Sequence, residues 1–497
     1  MMVSRRNPMS LTHTHGLISV GIATCLLLSV WVLITTLRGE DVLLAEKAQA
    51  ISPSTPVSAR FAATLTTFLP LVLSDHSSGP TIFGAQMYGS LHSPASGLSL
   101  TQQAQVYWVR WPLSWSAVEP VNTVPEGYNF SPYDSSILSA TQAGLHLIVT
   151  VVSNPGWAAY YANGPIDKVD IGAFTEFVGT LVERYDGDGW QDAPGSPVVD
   201  YLEFYNEPDA GDELYARYGA SYWGHFGAEY AQMLCAVYPV VKAANPRARV
   251  VIGGLAYDNF EPEGNFVREF LDDVLVAGGG QCFDVMNFHY YPVFEGVWAP
   301  YGPGLGGKAS YLYDKLRQYG LEGKPMIVTE AGWHSDDYPT FPSTPEIQSR
   351  YVVKLFTQSV ASHLDVMIWW TWIDPGGYYG ANGLLTQDLE CKPAYYAYQT
   401  AVQELGQASF QRMLSFSELG STALEGYRLI AQETRPLYVL WSNDATTRPV
   451  ALPLPRAKVT GMYGETVAFL DDGEDGQVDG RVRVMVGPNP TYVEAVP

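Results

Sequence analysis

Two glutamates close short apolar runs: residues 198–205 lead into Asn206-Glu207-Pro208, and residues 325–329 lead into Glu330-Ala331-Gly332-Trp333. A run ending in this way places a carboxylate at the carboxyl end of a β-strand, and here it happens twice. Paired carboxyls are what cleavage of a sugar acetal needs. One protonates the leaving oxygen while the other meets the positive charge that develops at the anomeric carbon. Strands so far apart in the chain can present both groups at one mouth if they belong to a (β/α)8 barrel.

The elements that would position them follow that rhythm. From Thr81 onward, eight candidate strands alternate with helical stretches: 82–87, 106–111, 146–152, 198–205, 249–255, 283–289, 325–329 and 366–372. Alternation of this kind predicts parallel βα units. Asp170 is placed to cap a helix running to Arg184, Thr344-Pro345 opens another, and Asn245-Pro246 stops the helix that carries Cys235. Residues 81–405 are therefore expected to form an α/β TIM barrel. After a helix over 393–405 the pattern changes to short alternating runs at 427–430, 437–441, 450–454 and 482–486. These predict an all-β, sandwich-like domain over 406–497. The acidic stretch 471–476 reads as a solvated hairpin tip, since it does not match a calcium loop. Residues 302–308 satisfy the spacing of a phosphate-binding loop, GxxxxGK. Ala309, however, stands where magnesium needs a hydroxyl, and no apolar strand leads in, so a flexible loop above strand six is expected.

Upstream, Arg5 and Arg6 precede a 19-residue apolar run from Leu17 to Thr35, which Arg38, Glu40 and Asp41 end. The run is long for a cleaved signal and long enough to span a bilayer, while Ala48-Gln49-Ala50 resembles a cleavage site. Residues 1–38 are read as a signal anchor or signal peptide and 39–80 as a linker rich in Ser, Thr, Pro and Ala. Either form exports the body, tethered to the membrane through that segment alone or secreted. A net charge of −23 excludes nucleic acid and anionic lipid as partners, because both would be repelled. Cys25 lies in the apolar run. Cys235, Cys282 and Cys391 permit at most one bridge in the body, with the pairing open. No CxxC, HExxH or clustered His/Cys spacing is present, so nothing in the sequence calls for a metal.

Residues 81–405 resemble clan A of the retaining glycoside hydrolases, and most closely family 39, which also carries a β-sandwich. The resemblance rests on Asn206-Glu207 at strand four, Glu330 at strand seven, Val109-Arg110-Trp111 at strand two, His289-Tyr290-Tyr291 at strand six and Trp369-Trp370-Thr371-Trp372 at strand eight. It implies that Glu207 is the general acid/base and Glu330 the nucleophile, with no cofactor. Glu330 would be ionised beside Arg110 and a hydroxyl of Tyr291, and its charge would favour a proton on Glu207. Asn206 would bind the 2-hydroxyl. His289 would share the pocket, and Trp370 would floor the reacting subsite, with Trp372 as second choice by alternation. Glu119 reads as structural, and Trp157, after strand three, as either a sugar platform or packing.

The expected function is hydrolysis of a β-linked glycoside or polysaccharide through a covalent glycosyl-enzyme, with an oligo- or polysaccharide as partner. The alternatives are a surface carbohydrate-binding protein on an inactive barrel and an envelope transglycosylase using the same residues.

Overall fold

The computed structural model describes residues 80–496, apart from 126, 212–221, 258–265, 339, 378–379, 432–433, 472–475 and 477. The apolar run, the linker through residue 79, Cys25 and most of the acidic stretch lie outside the described residues. Among the described residues no helix is long and apolar enough to cross a membrane.

Eight parallel strands form one sheet: β1 (Phe83–Gln86), β2 (Trp108–Ser114), β3 (His146–Val152), β4 (Tyr201–Asn206), β5 (Arg249–Gly254), β6 (Met286–Tyr290), β7 (Met326–Ala331) and β8 (Val366–Trp369). Each overlaps an expected strand. Neighbours pair in order from β5 back through β1 to β8, β7 and β6. Bridges between Val251 and Val285 and between Leu255 and Phe288 then close the circle into a barrel. The strands are almost wholly buried because helices cover them outside and side chains fill them inside, and so they read as apolar runs.

The interior is layered. At the base, Ile148, Val251, Val285, Ile327, Val366 and Ile368 pack as an apolar plug. One step up the same strands, with the same side-chain parity, stand Thr150, Asn287 and Thr329, and Glu203 stands with them on β4. The polar layer so formed lies beneath the mouth.

The helices end as expected. Thr344 accepts from the Ile347 N–H at the start of Pro345–Ala361, and Asn245 follows the end of Gly227–Ala244. Asp170 Oδ1 accepts from Gly172 N at the start of Gly172–Arg184. One expectation fails. Residues 304–308, expected to lie in a flexible loop, open the helix Gly304–Gln318, whose Lys308 is fully buried. The glycine run suggested a loop, but close packing requires it: a Cβ on Gly307 would stand 2.6 Å from the carbonyls of Trp298 and Gly302.

Beyond helix Pro393–Leu405, β9 (Ser409–Met413), β10 (Leu424–Ile430), β11 (Pro436–Ser442), β13 (Arg456–Gly461), β14 (Thr466–Leu470) and β16 (Thr491–Ala495) form a six-stranded antiparallel sheet. The pair β12 (Arg448–Leu452) and β15 (Val482–Val486) forms a second, two-stranded sheet. Period-two alternation assigns the faces. Leu437, Val439 and Trp441 join the barrel core, while Tyr438 and Leu440 pack with Val450, Leu452, Val482, Val484 and Val486. Cys235 and Cys282 are disulfide-bonded and Cys391 is a free thiol.

Candidate active site

Local backbone irregularities turn the strand ends inward. Strict alternation after Thr329 would aim Glu330 away from the barrel interior. The β6–β7 register slips between Phe288 and His289, so His289 pairs with Glu330 and the extra residue re-aims the carboxylate into the mouth. On β4, left-handed backbone at Tyr205 (φ 65°) and Glu207 (φ 45°) breaks alternation in the same way and brings Asn206 and Glu207 to the site. Such conformations cost about 1–2 kcal/mol per non-glycine residue and persist where the surroundings enforce them. Glu207 N donates to the Gly254 carbonyl at 3.1 Å. Gly254 must be glycine, since a Cβ there would stand 2.1 Å from His289 Nε2.

Arg110 organises the layer below. Its Nε and Nη2 donate to Glu203 at 2.7 and 2.9 Å, Nη2 also to Asn206 Oδ1 at 2.7 Å, and Nη1 to Gln86 at 3.0 Å and Glu330 Oε2 at 3.3 Å. Burial opposes its charge, but Glu203 and then Glu330 outweigh that, so the guanidinium is held more firmly charged than a free arginine. Glu203 is fully buried and further takes Thr150 at 2.7 Å, Asn287 at 2.9 Å, and the Gly254 N–H and Thr329 Oγ1 at 3.1 Å. Sequence reading missed it. The available signal was a lone acid at inward parity in an apolar strand.

Glu330 Oε1 accepts from the Tyr291 hydroxyl at 2.5 Å. Burial raises its carboxyl above the ordinary range, and Arg110 and Tyr291 pull the other way without cancelling the effect. Glu207 Oε1 lies 3.0 Å from His289 Nδ1, which is 3.8 Å from Glu330 Oε2. One carboxylate oxygen of Glu207, one of Glu330 and a ring nitrogen of His289 fall within 4.8 Å of one another. The same atoms could chelate a cation, as could Asp186, Asp188 and Asp192 before β4. Arg110 already supplies positive charge at the first group.

Trp370 closes one side, edge-on to Tyr291, with its indole N–H on the Tyr88 hydroxyl at 2.8 Å. Tyr88, on the turn after β1, is a second site residue missed in the sequence. Trp372 does not join them. The strand ends at Trp369, alternation stops with it, and the buried Trp372 ring donates to the Gly97 carbonyl. Glu119 is buried and accepts from Trp115 Nε1 at 2.8 Å. Trp157, half-buried, packs edge-on to Trp115 and donates to the Glu119 carbonyl. Thus Glu207, Glu330, Arg110, Asn206, His289, Tyr291 and Trp370 share one mouth, while Trp372 stands apart.

This arrangement of strands has counterparts. A family 39 glycoside hydrolase from Bacteroides cellulosilyticus superposes with a TM-score of 0.63 at 19% identity, over 84% of this chain and 81% of that one. An endoxylanase of glycoside hydrolase family 30 from Clostridium papyrosolvens gives 0.56 at 13%, over 84% and 98%. A family 39 β-xylosidase from Caulobacter crescentus gives 0.53 at 15%, over 85% and 98%. The fold is shared with glycoside hydrolases of families 39 and 30. No family model matches the sequence, and no curated protein matches it significantly. At these identities the likeness establishes the fold.

Proposed function

We propose that the protein is a retaining glycoside hydrolase acting on a β-linked glycoside or polysaccharide. One observation carries the reading: one oxygen of the Glu207 carboxylate lies within 4.8 Å of one of Glu330, and Glu330 takes hydrogen bonds from Arg110 at 3.3 Å and Tyr291 at 2.5 Å. Double displacement uses carboxyls about 5–5.5 Å apart, whereas inversion needs roughly 6.5–9.5 Å to seat a water. Glu330, held by a cation and a phenol, is suited to attack as the anion. Glu207, next to that negative charge, is suited to hold a proton for the leaving oxygen. Once Glu330 is glycosylated its charge is gone, and Glu207 can take a proton from water. Asn206, oriented by Arg110, stands ready for the 2-hydroxyl, and the Trp370 face is suited to the apolar side of a pyranose. The named activities of the counterparts, an endoxylanase and a β-xylosidase, support a β-xyloside or β-xylan-like chain as substrate class. Export of the body belongs to the same proposal, and the Cys235–Cys282 disulfide supports it, since such bridges persist in oxidising compartments.

A panel of aryl β-glycosides, assayed with wild type, Glu207→Ala and Glu330→Ala, tests the reading. Expected is hydrolysis by the wild type and loss of about 10³-fold or more in each variant. Azide should rescue both, giving the β-glycosyl azide with Glu207→Ala and the α-anomer with Glu330→Ala. Undiminished hydrolysis in either variant would reject the assignment.

A further inference from the structure

The helix Gly304–Gln318 sends a cation into the interior. Lys308 Nζ donates to the His289 carbonyl at 2.7 Å, to that of Leu255 at 3.4 Å and to that of Ala256. The ammonium thus ties the end of β5 to the end of β6 from behind the site. Asp209, two residues after Glu207, lies within its electrostatic reach and accepts the backbone N–H groups of Ala256 and Tyr257 at 3.2 and 2.8 Å. The wholly buried ammonium carries a desolvation cost that a packed apolar side chain would not.

The hydrogen bonds around His289 fix its tautomer. Thr329 Oγ1 has one proton, and Glu203 Oε1 at 3.1 Å and Asn287 Oδ1 at 3.0 Å are acceptors for it. Its oxygen therefore accepts from His289 Nε2–H at 3.2 Å. That leaves the Nδ1 lone pair facing Glu207, a bond that is made when Glu207 carries the proton. A doubly protonated ring would donate from Nδ1 and hold Glu207 as a carboxylate, unable to act as an acid.

We propose that Lys308 is a positioning residue for the Glu207–His289 pair, fixing the His289 backbone from behind the site. The catalytic consequence rests on the glycosidase reading above. Glu207, Glu330 and, through Thr329, Glu203 face the ring and favour its charge. Tyr291 and Tyr222 stand by as neutral phenols, while Arg110 and Lys308 oppose the charge. Burial first, then these two cations, hold the imidazole well below its ordinary range. Arg110 is bound to both Glu203 and Glu330, so its removal would dismantle the nucleophile's support. Lys308 is the cation whose loss reports on the ring.

Imidazole ¹H–¹⁵N spectra of the whole protein, with His289 identified by the signals lost in His289→Gln, test this directly. In the wild type the ring is expected to stay neutral, protonated at Nε2, from pH 8 down to 5. Lys308→Met should move its titration upward by roughly one unit and carry the acid limb of kcat/KM with it. Lys308→Arg should restore both. A wild-type His289 titrating near its ordinary value of about 6.5 would overturn the proposal, whether or not the methionine variant folds. So would a Lys308→Met enzyme slowed equally at every pH. Wild-type protein inert on every glycoside would remove the catalytic reading, while the spectra would still decide the state of the ring.

Discussion

Glu203 lies in the polar layer beneath the mouth, where five groups converge on it, and through Arg110 it sets where Glu330 and Asn206 point. Glu203→Gln would leave a buried guanidinium without its bidentate partner. The expected cost is about 3–5 kcal/mol of stability by chemical denaturation. A loss of roughly 10²-fold in kcat should accompany it, since displacing a reacting group by about 1 Å has an effect of that size. Undiminished turnover would show that Arg110 holds its place without it. The grouping of side chains at the mouth was legible at this scale wherever a residue type and a strand end coincided, as with Glu207, Glu330 and Tyr291. Glu203, Tyr88 and Lys308 escaped because their roles come from side-chain parity and three-dimensional convergence, which neither spacing nor turn residues encode.

The elements were legible because helices cover the barrel's outside and side chains fill its inside, leaving eight apolar runs with capped helices between them. Their departures from regularity were not legible. The β7 bulge that aims Glu330 and the left-handed residues that aim Glu207 carry no composition of their own, and alternation misplaced Trp372. The turn after β4 also has a titration consequence. Burial pushes the Asp209 carboxyl up to about 7, with Lys308 and backbone N–H groups pulling it down only in part. The folded state therefore binds this proton more tightly than the unfolded chain. The stabilisation is complete below about pH 4, the unfolded value, and is lost as pH rises through about 7. Asp209→Asn should narrow the gap in thermal midpoint between pH 5 and pH 8 relative to wild type. An unchanged gap would place the proton elsewhere.

At the scale of the whole molecule, the β-domain and the barrel share one core. Leu437, Val439 and Trp441 pack on the barrel side of the six-stranded sheet, and Gln358 and Lys354 of helix Pro345–Ala361 bond to Glu425 and Asn443. The barrel itself has an asymmetry. Seven of its strand-to-strand joins are laddered, whereas β5 and β6 meet through isolated bridges. The Cys235–Cys282 disulfide spans the outside of that same join, from the helix before β5 to the turn before β6. Across a sequence separation of 47 it contributes about 4 kcal/mol in chain-entropy terms. It works as the buckle of a hoop, with Glu207 held on one side of the gap and His289 on the other. Unbuckling by a reductant should loosen the hoop there first. Amide exchange is expected to quicken along Val250–Leu255 and Val285–His289 while β1, β2 and β8 keep their protection, so that the barrel goes slack at its mouth well before it falls apart.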